Sequence, residues 1–323
     1  MSISQVSTRG RRGFSLFGRG RSDGAAPKWL PSPGSRRRRS RIDRPRPVLF
    51  TGNGTEVSEG EGLRLTRLIG GPGLDMLDPF LLLDWFTADA SWRKPVGFGD
   101  HPHAGIDTVT YVLSGAVNHK YGRDNESVVE AGGVQWVSAG EGIVHSEYSE
   151  ARDERLSGYQ LWINQPSRDK KRPPVYRAFS PDRLPVESRD DADVVVIAGT
   201  TSSGTEGVVP GGAVDLLFLA VQLPQNTSFS EDVTGKDNAF IVVHEGEVSS
   251  FDEHGDAVEV HAGQIAVLGP GTHVQILAGG EGAEVLIGAA KAIREPVTRV
   301  GGIALNTRDE VRKALGRYRD GKL

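Results

Sequence analysis

The sequence predicts an all-β chain built as two tandem barrels, closed by one short C-terminal helix. Three observations predict it. Apolar runs are short and alternate with polar residues at the period of a strand, with no helical period of useful length before the C-terminal end. The 42 glycines among 323 residues fall between these runs, where tight turns are needed. The glycine pattern also repeats: Gly115 and Gly132, 17 residues apart, return as Gly246 and Gly263, and Gly140 returns as Gly271, all at a shift of 131 residues. That regularity implies two copies of one architecture.

Residues 1–47 are different material from the rest. They carry 13 Lys+Arg, 12 of them Arg, against two Asp; the remainder carries 25 basic and 40 acidic residues, so a net charge of −4 hides a tail of +11 and a body of −15. With Phe14, Phe17 and Trp29 as its aromatics and Arg36 to Arg39 as a block of like charge, this tail cannot bury enough apolar surface to offset its ordering entropy and is expected to be disordered. Three uses remain open: a solvated tail, an arm that grips nucleic acid through phosphate contacts, and an organelle transit peptide, since the first 22 residues contain Arg and Ser but no acid.

The first barrel is expected over residues 48–172. Leu63 to Thr66 alternates, Phe80 to Leu83 is a compact apolar run, and Thr108 to Leu113 is rich in β-branched and aromatic residues. Gly70-Gly71-Pro72-Gly73 and Gly132-Gly133 supply turns. A Pro-rich basic stretch from Pro166 to Pro174 marks the boundary. The second barrel, 173–323, begins its strands at Val194 to Ala198 and continues through Leu216 to Val221 and Ala239 to Val243. At the end, Asn306 or Thr307 can cap a helix with Asp309 and Glu310 in its first turn, and Val311, Leu315 and Tyr318 lie on the face that would dock on a barrel.

Composition excludes several chemistries. The chain has no cysteine, which removes disulfides, iron-sulfur clusters and thiolate nucleophiles, so a metal must be held by nitrogen and oxygen. No apolar stretch approaches the ~18 residues of a membrane span, and a secretory leader is not evident. A soluble, cytoplasmic protein is expected.

The stretch from Gly97 to Glu147 carries the chemistry. It opens with His101-Pro102-His103 and closes with His145-Ser146-Glu147. Residues two apart on a strand share a face, so each pair offers two donors on one side. Two facing strands would bring together three imidazoles and a carboxylate, a set suited to Fe, Mn, Ni or Cu. Coordination also compensates the cost of a carboxylate in an apolar interior. His119, in the polar run Asn118-His119-Lys120, is expected to be a solvated strand end. His244, His254, His261 and His273 stand singly and are assigned no role. Trp136 and Trp162 flank the proposed site in sequence and are read as core residues, with the lining of an aromatic pocket as the alternative.

These residues carry a resemblance. Asp78-Pro79-Phe80, Gly97 to His103, Thr108 to Tyr111, Gln135-Trp136, Gly142 to Glu147, Gln160-Leu161-Trp162 and Asn306-Thr307 resemble the pirins, members of the cupin superfamily whose double-stranded β-helix (jelly-roll) barrels occur in tandem. The resemblance runs from Val48 to Leu323. It implies iron in the first barrel, with His101, His103, His145 and Glu147 matching the family's ligands, and a second barrel without metal; under the 131-residue shift His101 falls on Asp232, His103 on Thr234 and His145 on Ile276. The chain departs from the family at Gly99, Ala104, Ile106, Asp107 and Trp85, where pirins tend to carry Pro, Arg, an aromatic, Glu and an acid; these positions flank the ligands without supplying them.

Two functions follow from the resemblance. One is a quercetin 2,3-dioxygenase acting on a flavonol and dioxygen, with Glu147 taking the 3-hydroxyl proton. The other is a regulatory protein whose metal oxidation state alters its affinity for a protein partner, as a transcription cofactor or a modulator of a metabolic enzyme.

Overall fold

A computed structural model describes residues 44–89, 95–122, 125–149, 155–189 and 192–323. The Arg-rich stretch to residue 43, with Phe14, Phe17 and Trp29, lies outside the described residues. The all-β class expected from the sequence is observed, with one α-helix at the C-terminal end of the described residues.

The first half of the chain forms β1 (Val48–Asn53), β2 (Thr55–Val57), β3 (Arg64–Ile69), β4 (Phe80–Ala88), β5 (Gly97–His103), β6 (Ile106–Ser114), β7 (Ala116–Tyr121), β8 (Asn125–Glu130), β9 (Val134–Ser138), β10 (Ile143–Ser149), β11 (Leu156–Asn164) and β12 (Val175–Phe179). The second half forms β13 (Val186–Arg189), β14 (Ala192–Ala198), β15 (Leu217–Leu223), β16 (Ser228–Asp232), β17 (Asn238–Phe251), β18 (Ala257–His261), β19 (Gln264–Leu268), β20 (His273–Ala290), β21 (Thr298–Val300) and β22 (Ile303–Leu305), followed by α1 (Arg308–Arg319).

The first barrel packs the sheet β5-β10-β7-β8 against the sheet β12-β9-β6-β11-β4-β3-β2. In the second, β17 and β20 are long enough, at 14 and 18 residues, to join both walls of one continuous sheet. The glycine repeat has a backbone cause: Gly115 and Gly246 adopt φ of 74° and 73°, and Gly132 and Gly263 adopt 80° and 81°, a left-handed conformation that side chains resist. The third pair differs, since Gly140 has φ 50° while Gly271 is not left-handed. At Gly271 a Cβ would come within 2.7 Å of the Arg44 carbonyl oxygen.

That contact reflects a difference from the sequence reading at the end of the tail. Arg44 to Pro47 are packed on the second barrel. Arg46 is 2% exposed, and its guanidinium donates to the main-chain oxygens of Asp237 and Gly269, each at 3.2 Å, and of Lys236. Composition registers an arginine as charge, but its fork of donors can be satisfied by carbonyls in a buried position. The barrels also exchange edges. β1 pairs with β19 of the second barrel, and β12 pairs with β9 of the first, so the second barrel takes a strand from before the first, and the first extends past the Pro-rich stretch. In the Pro-rich stretch, Lys170 is buried, with its ammonium donating to Asn164 Oδ1 and the Ala304 carbonyl at 2.8 Å each.

An apolar core fills the second barrel around Val196, Leu219, Ile241 and Ile287. Another joins the two barrels, with Phe80 meeting Phe240 edge-on at 5.0 Å. Helix α1 begins with a capping box between Thr307 and Glu310 and buries Val311 and Ala314 against Ala104 and Ile303. Leu315 packs at the margin of that face, and Tyr318 donates its hydroxyl to the Asp100 carbonyl at 3.3 Å.

Candidate metal centre

Strand β10 runs between β5 and β7, and this placement builds the site. His145 lies directly across from His101 on β5, while Glu147 lies directly across from His119 on β7. Directly opposed residues of an antiparallel pair share a face. The β5 register slips after His145, setting Glu147 opposite Phe98.

Side chains gather accordingly. His101, His103 and His145 form one group whose ligand atoms lie within 4.8 Å of one another, and His119, His145 and Glu147 form a second by the same measure. The two groups share His145. The structure therefore brings the three expected imidazoles together, whereas Glu147 groups with His145 and with His119, a histidine that the sequence reading left in solvent, and not with His101 or His103. His244, His254, His261 and His273 belong to neither group.

The donor set can be tested against a metal. His101 Nδ1 donates to the Gly99 carbonyl at 2.8 Å, and His103 Nδ1 donates to the Gly302 carbonyl at 3.2 Å. Each bond fixes the tautomer that leaves a lone pair on Nε2. Those two Nε2 atoms face one another at 3.1 Å, and His145 Nε2 is 2.8 Å from that of His101. Facing lone pairs repel unless a proton or a cation lies among them. Two ligands held ~2.1 Å from an ion at right angles are ~3.0 Å apart, so these separations suit adjacent ligands of an octahedral centre. The residues fit a divalent metal.

Electrostatics point the same way. His103 is pushed down to about 3 by burial and then by the charge of its histidine neighbours, His119 is likewise pushed down to about 3 by burial and His101, and His145 falls well below the usual imidazole range for the same reasons. All three are neutral at physiological pH, as ligation requires. Burial raises the Glu147 carboxyl. Its Oε2 accepts from Gln160 Nε2 at 2.9 Å, whereas its Oε1 is buried with no hydrogen-bond partner among the described residues, 3.9 Å from His119 Nε2. A buried carboxylate oxygen without a donor is costly, and a cation is the natural compensation.

His119 corrects the sequence reading. It is 0% exposed, stacked on Tyr176 at 4.7 Å, and its Nε2 lies 2.5 Å from His145 Nδ1. A signal for it existed: on β7, Val117, His119 and Tyr121 share the inward phase, and the polar Asn118 and Lys120 point the other way.

The two tryptophans separate. Trp136 packs against the core between the barrels with the Arg177 guanidinium over its ring. Trp162 meets His103 edge-on at 4.9 Å and donates Nε1–H to Gln160 Oε1 at 2.8 Å. Because that oxygen accepts from Trp162, the amide nitrogen of Gln160 is the atom turned toward Glu147. Beside Glu147 and Gln160 is an apolar pocket of about 30 Å³ lined by Leu63, Phe86, Phe98 and Val117.

Comparison with known proteins accords with this geometry. The Pirin family model matches residues 62–163, and the Pirin C-terminal cupin domain matches residues 218–323. A pirin-like protein of Caulobacter vibrioides is 43% identical over 86% of this chain and 99% of its own length. A Pseudomonas aeruginosa protein provisionally named a quercetin 2,3-dioxygenase is 36% identical over 87% of this chain and 99% of its own. The crystal structure of a quercetin 2,3-dioxygenase from Acinetobacter baumannii superposes with a TM-score of 0.78 at 26% identity, covering 86% of this chain and 98% of the other.

Proposed function

The chain belongs to the pirin family, and on that premise we propose that it is a metal-dependent flavonol dioxygenase, with His101, His103, His145 and Glu147 holding the metal. One observation carries the reading: three Nε2 lone pairs converge, and His145 among them shares a second group with Glu147, a buried carboxylate whose Oε1 has no hydrogen-bond partner among the described residues. The names given to the Pseudomonas and Acinetobacter relatives support the substrate class. Iron is the metal the pirin resemblance favours, with copper, manganese and nickel compatible with the same donors.

A redox-active divalent ion, when bound, supplies Lewis acidity and the electron transfer that reaction with dioxygen needs. The protein does the rest. Gln160, oriented by Trp162, holds Glu147 through Oε2 and fixes the carboxylate that would take the 3-hydroxyl proton of the flavonol. The resulting enolate takes up both atoms of dioxygen, and one ring carbon leaves as carbon monoxide. Leu63, Phe86 and Val117 keep the pocket dry. A flavonol is far larger than about 30 Å³, so its entry requires the lining of this pocket to open. Aerobic incubation of protein loaded separately with iron, copper, manganese or nickel tests the reading. Loss of quercetin absorbance with release of carbon monoxide supports it, and no loss with any metal overturns it.

A specific contact favours a second, regulatory reading. Strand β5, which bears His101 and His103, is clamped by the C-terminal segment through Gly302 and Tyr318. A change in metal charge that moves β5 would reach the surface of α1 through those bonds. Pulldown with ferrous and ferric protein distinguishes the readings, because identical partner sets in both states would argue against a switch.

A further inference from the structure

Between the two barrels lies a cleft of about 150 Å³, none of whose lining residues belongs to the metal centre. One wall is formed by Tyr111 and Tyr159 on the first barrel, and Trp85, outside the lining, extends their row. Trp85 on β4 stands opposite Tyr159 on β11, and Tyr159 stands opposite Tyr111 on β6. Trp85 stacks on Tyr159 at 6.1 Å. The facing wall is a polar row on the second barrel, in which Asp193 on β14 opposes Gln222 on β15 and Gln222 opposes Glu284 on β20; Glu245 on β17, outside the lining, opposes Glu284. His244 closes one end, edge-on to Trp85 at 5.2 Å and with Nδ1 3.1 Å from the Tyr159 hydroxyl.

Two features of the cleft are unsatisfied. Like charges directly opposed on neighbouring strands repel, and neither Glu284 nor Glu245 has an ion-pair partner among the described residues. Burial, together with Glu245, raises the Glu284 carboxyl. Independently, Tyr111 is 8% exposed and lines the cleft, yet its hydroxyl has no hydrogen-bond partner among the described residues. A cleft of ~150 Å³ holds a molecule the size of benzene. Aromatic faces attract a cation through their quadrupole, most strongly when it is desolvated.

The geometry points to a second ligand site, one that takes a small organic ammonium ion. The charged nitrogen sits toward Glu284, whose neighbour Glu245 adds negative charge from outside the lining, with the Tyr111 hydroxyl on the same cleft, and the apolar body lies against Tyr159, Leu113 and Val195. The paired carboxylates select charge, and the aromatic row selects an organic body over a hydrated inorganic cation.

Calorimetric titration of the whole protein with benzylammonium, and with benzyl alcohol as its neutral counterpart, tests the site. Saturable one-to-one binding is expected for benzylammonium, at least tenfold tighter than for the alcohol. Glu284→Gln should weaken it at least tenfold, Glu245→Gln should weaken it less, and His103→Ala in the metal centre should leave it unchanged. Circular dichroism of each variant shows whether the fold is retained, and the exposed Glu245→Gln variant keeps the test available if Glu284→Gln fails to fold. Absence of saturable binding, equal affinity for the alcohol, or binding abolished by His103→Ala would each overturn the assignment.

Discussion

His119 Nε2 lies 2.5 Å from His145 Nδ1, on the side of the His145 ring away from the nitrogen that faces His101. If His145 coordinates through Nε2, its Nδ1–H donates to His119, and His119 fixes both the tautomer and the ring plane. His119→Ala is therefore expected to weaken metal binding roughly 10- to 100-fold, measured by competition with a coloured chelator. Unchanged affinity in a folded variant would reduce His119 to packing.

The Trp162–Gln160–Glu147 chain predicts an effect on the pH profile. Hydrogen bonding from Gln160 lowers the Glu147 carboxyl against the larger upward push of burial. Gln160→Leu removes the lowering contribution, so Glu147 should ionise at higher pH, and the acidic limb of kcat/KM for quercetin should move up. Trp162→Phe, which frees the Gln160 amide to rotate, should move it the same way by less. A limb that stays in place while metal content is unchanged would argue against Glu147 as the base.

Asp107 predicts a stability effect away from the site. Burial pushes its carboxyl up to about 6 from an ordinary 3.8, although Gln165 donates to it at 2.6 Å. The native state thus binds this proton more tightly than the unfolded chain does. Its contribution is full below the unfolded value and is lost as pH rises through about 6. Asp107→Asn, which keeps an acceptor for Gln165, should become relatively more stable than the parent above that range, by on the order of 2–3 kcal/mol. Urea midpoints at acid and neutral pH measure the difference, and equal differences at both would exclude Asp107 as its source.

Metal removal predicts a loss of stability confined to the intact site. An ion that binds the folded state alone, present at ~1,000 times its dissociation constant, stabilises it by ~4 kcal/mol. Chelation should lower the melting temperature of the parent protein by several degrees and leave that of His103→Ala unmoved. A parent indifferent to chelator would show that no ion is held there.

The sequence by itself determined what is local. Period-2 alternation put His101 with His103, and His145 with Glu147, on shared strand faces; recurring glycines announced two barrels; the Thr307 cap located α1. What alternation cannot supply is the identity of a strand's neighbours, because pairing is set by contacts far apart in sequence. Only the tertiary structure decided that β10 runs between β5 and β7, which turns His119 from a polar residue beside Lys120 into the buried neighbour of His145. The same holds for Arg46, satisfied by carbonyls some 190 to 220 positions away, and for the edges exchanged by β1 and β12. It holds also for the cleft, where an aromatic row from one barrel meets an acidic row from the other because Phe80, Phe240 and their neighbours bury an apolar seam beside it. Strand faces follow from backbone stereochemistry one residue at a time, whereas burial of a polar group depends on which distant surface comes to cover it.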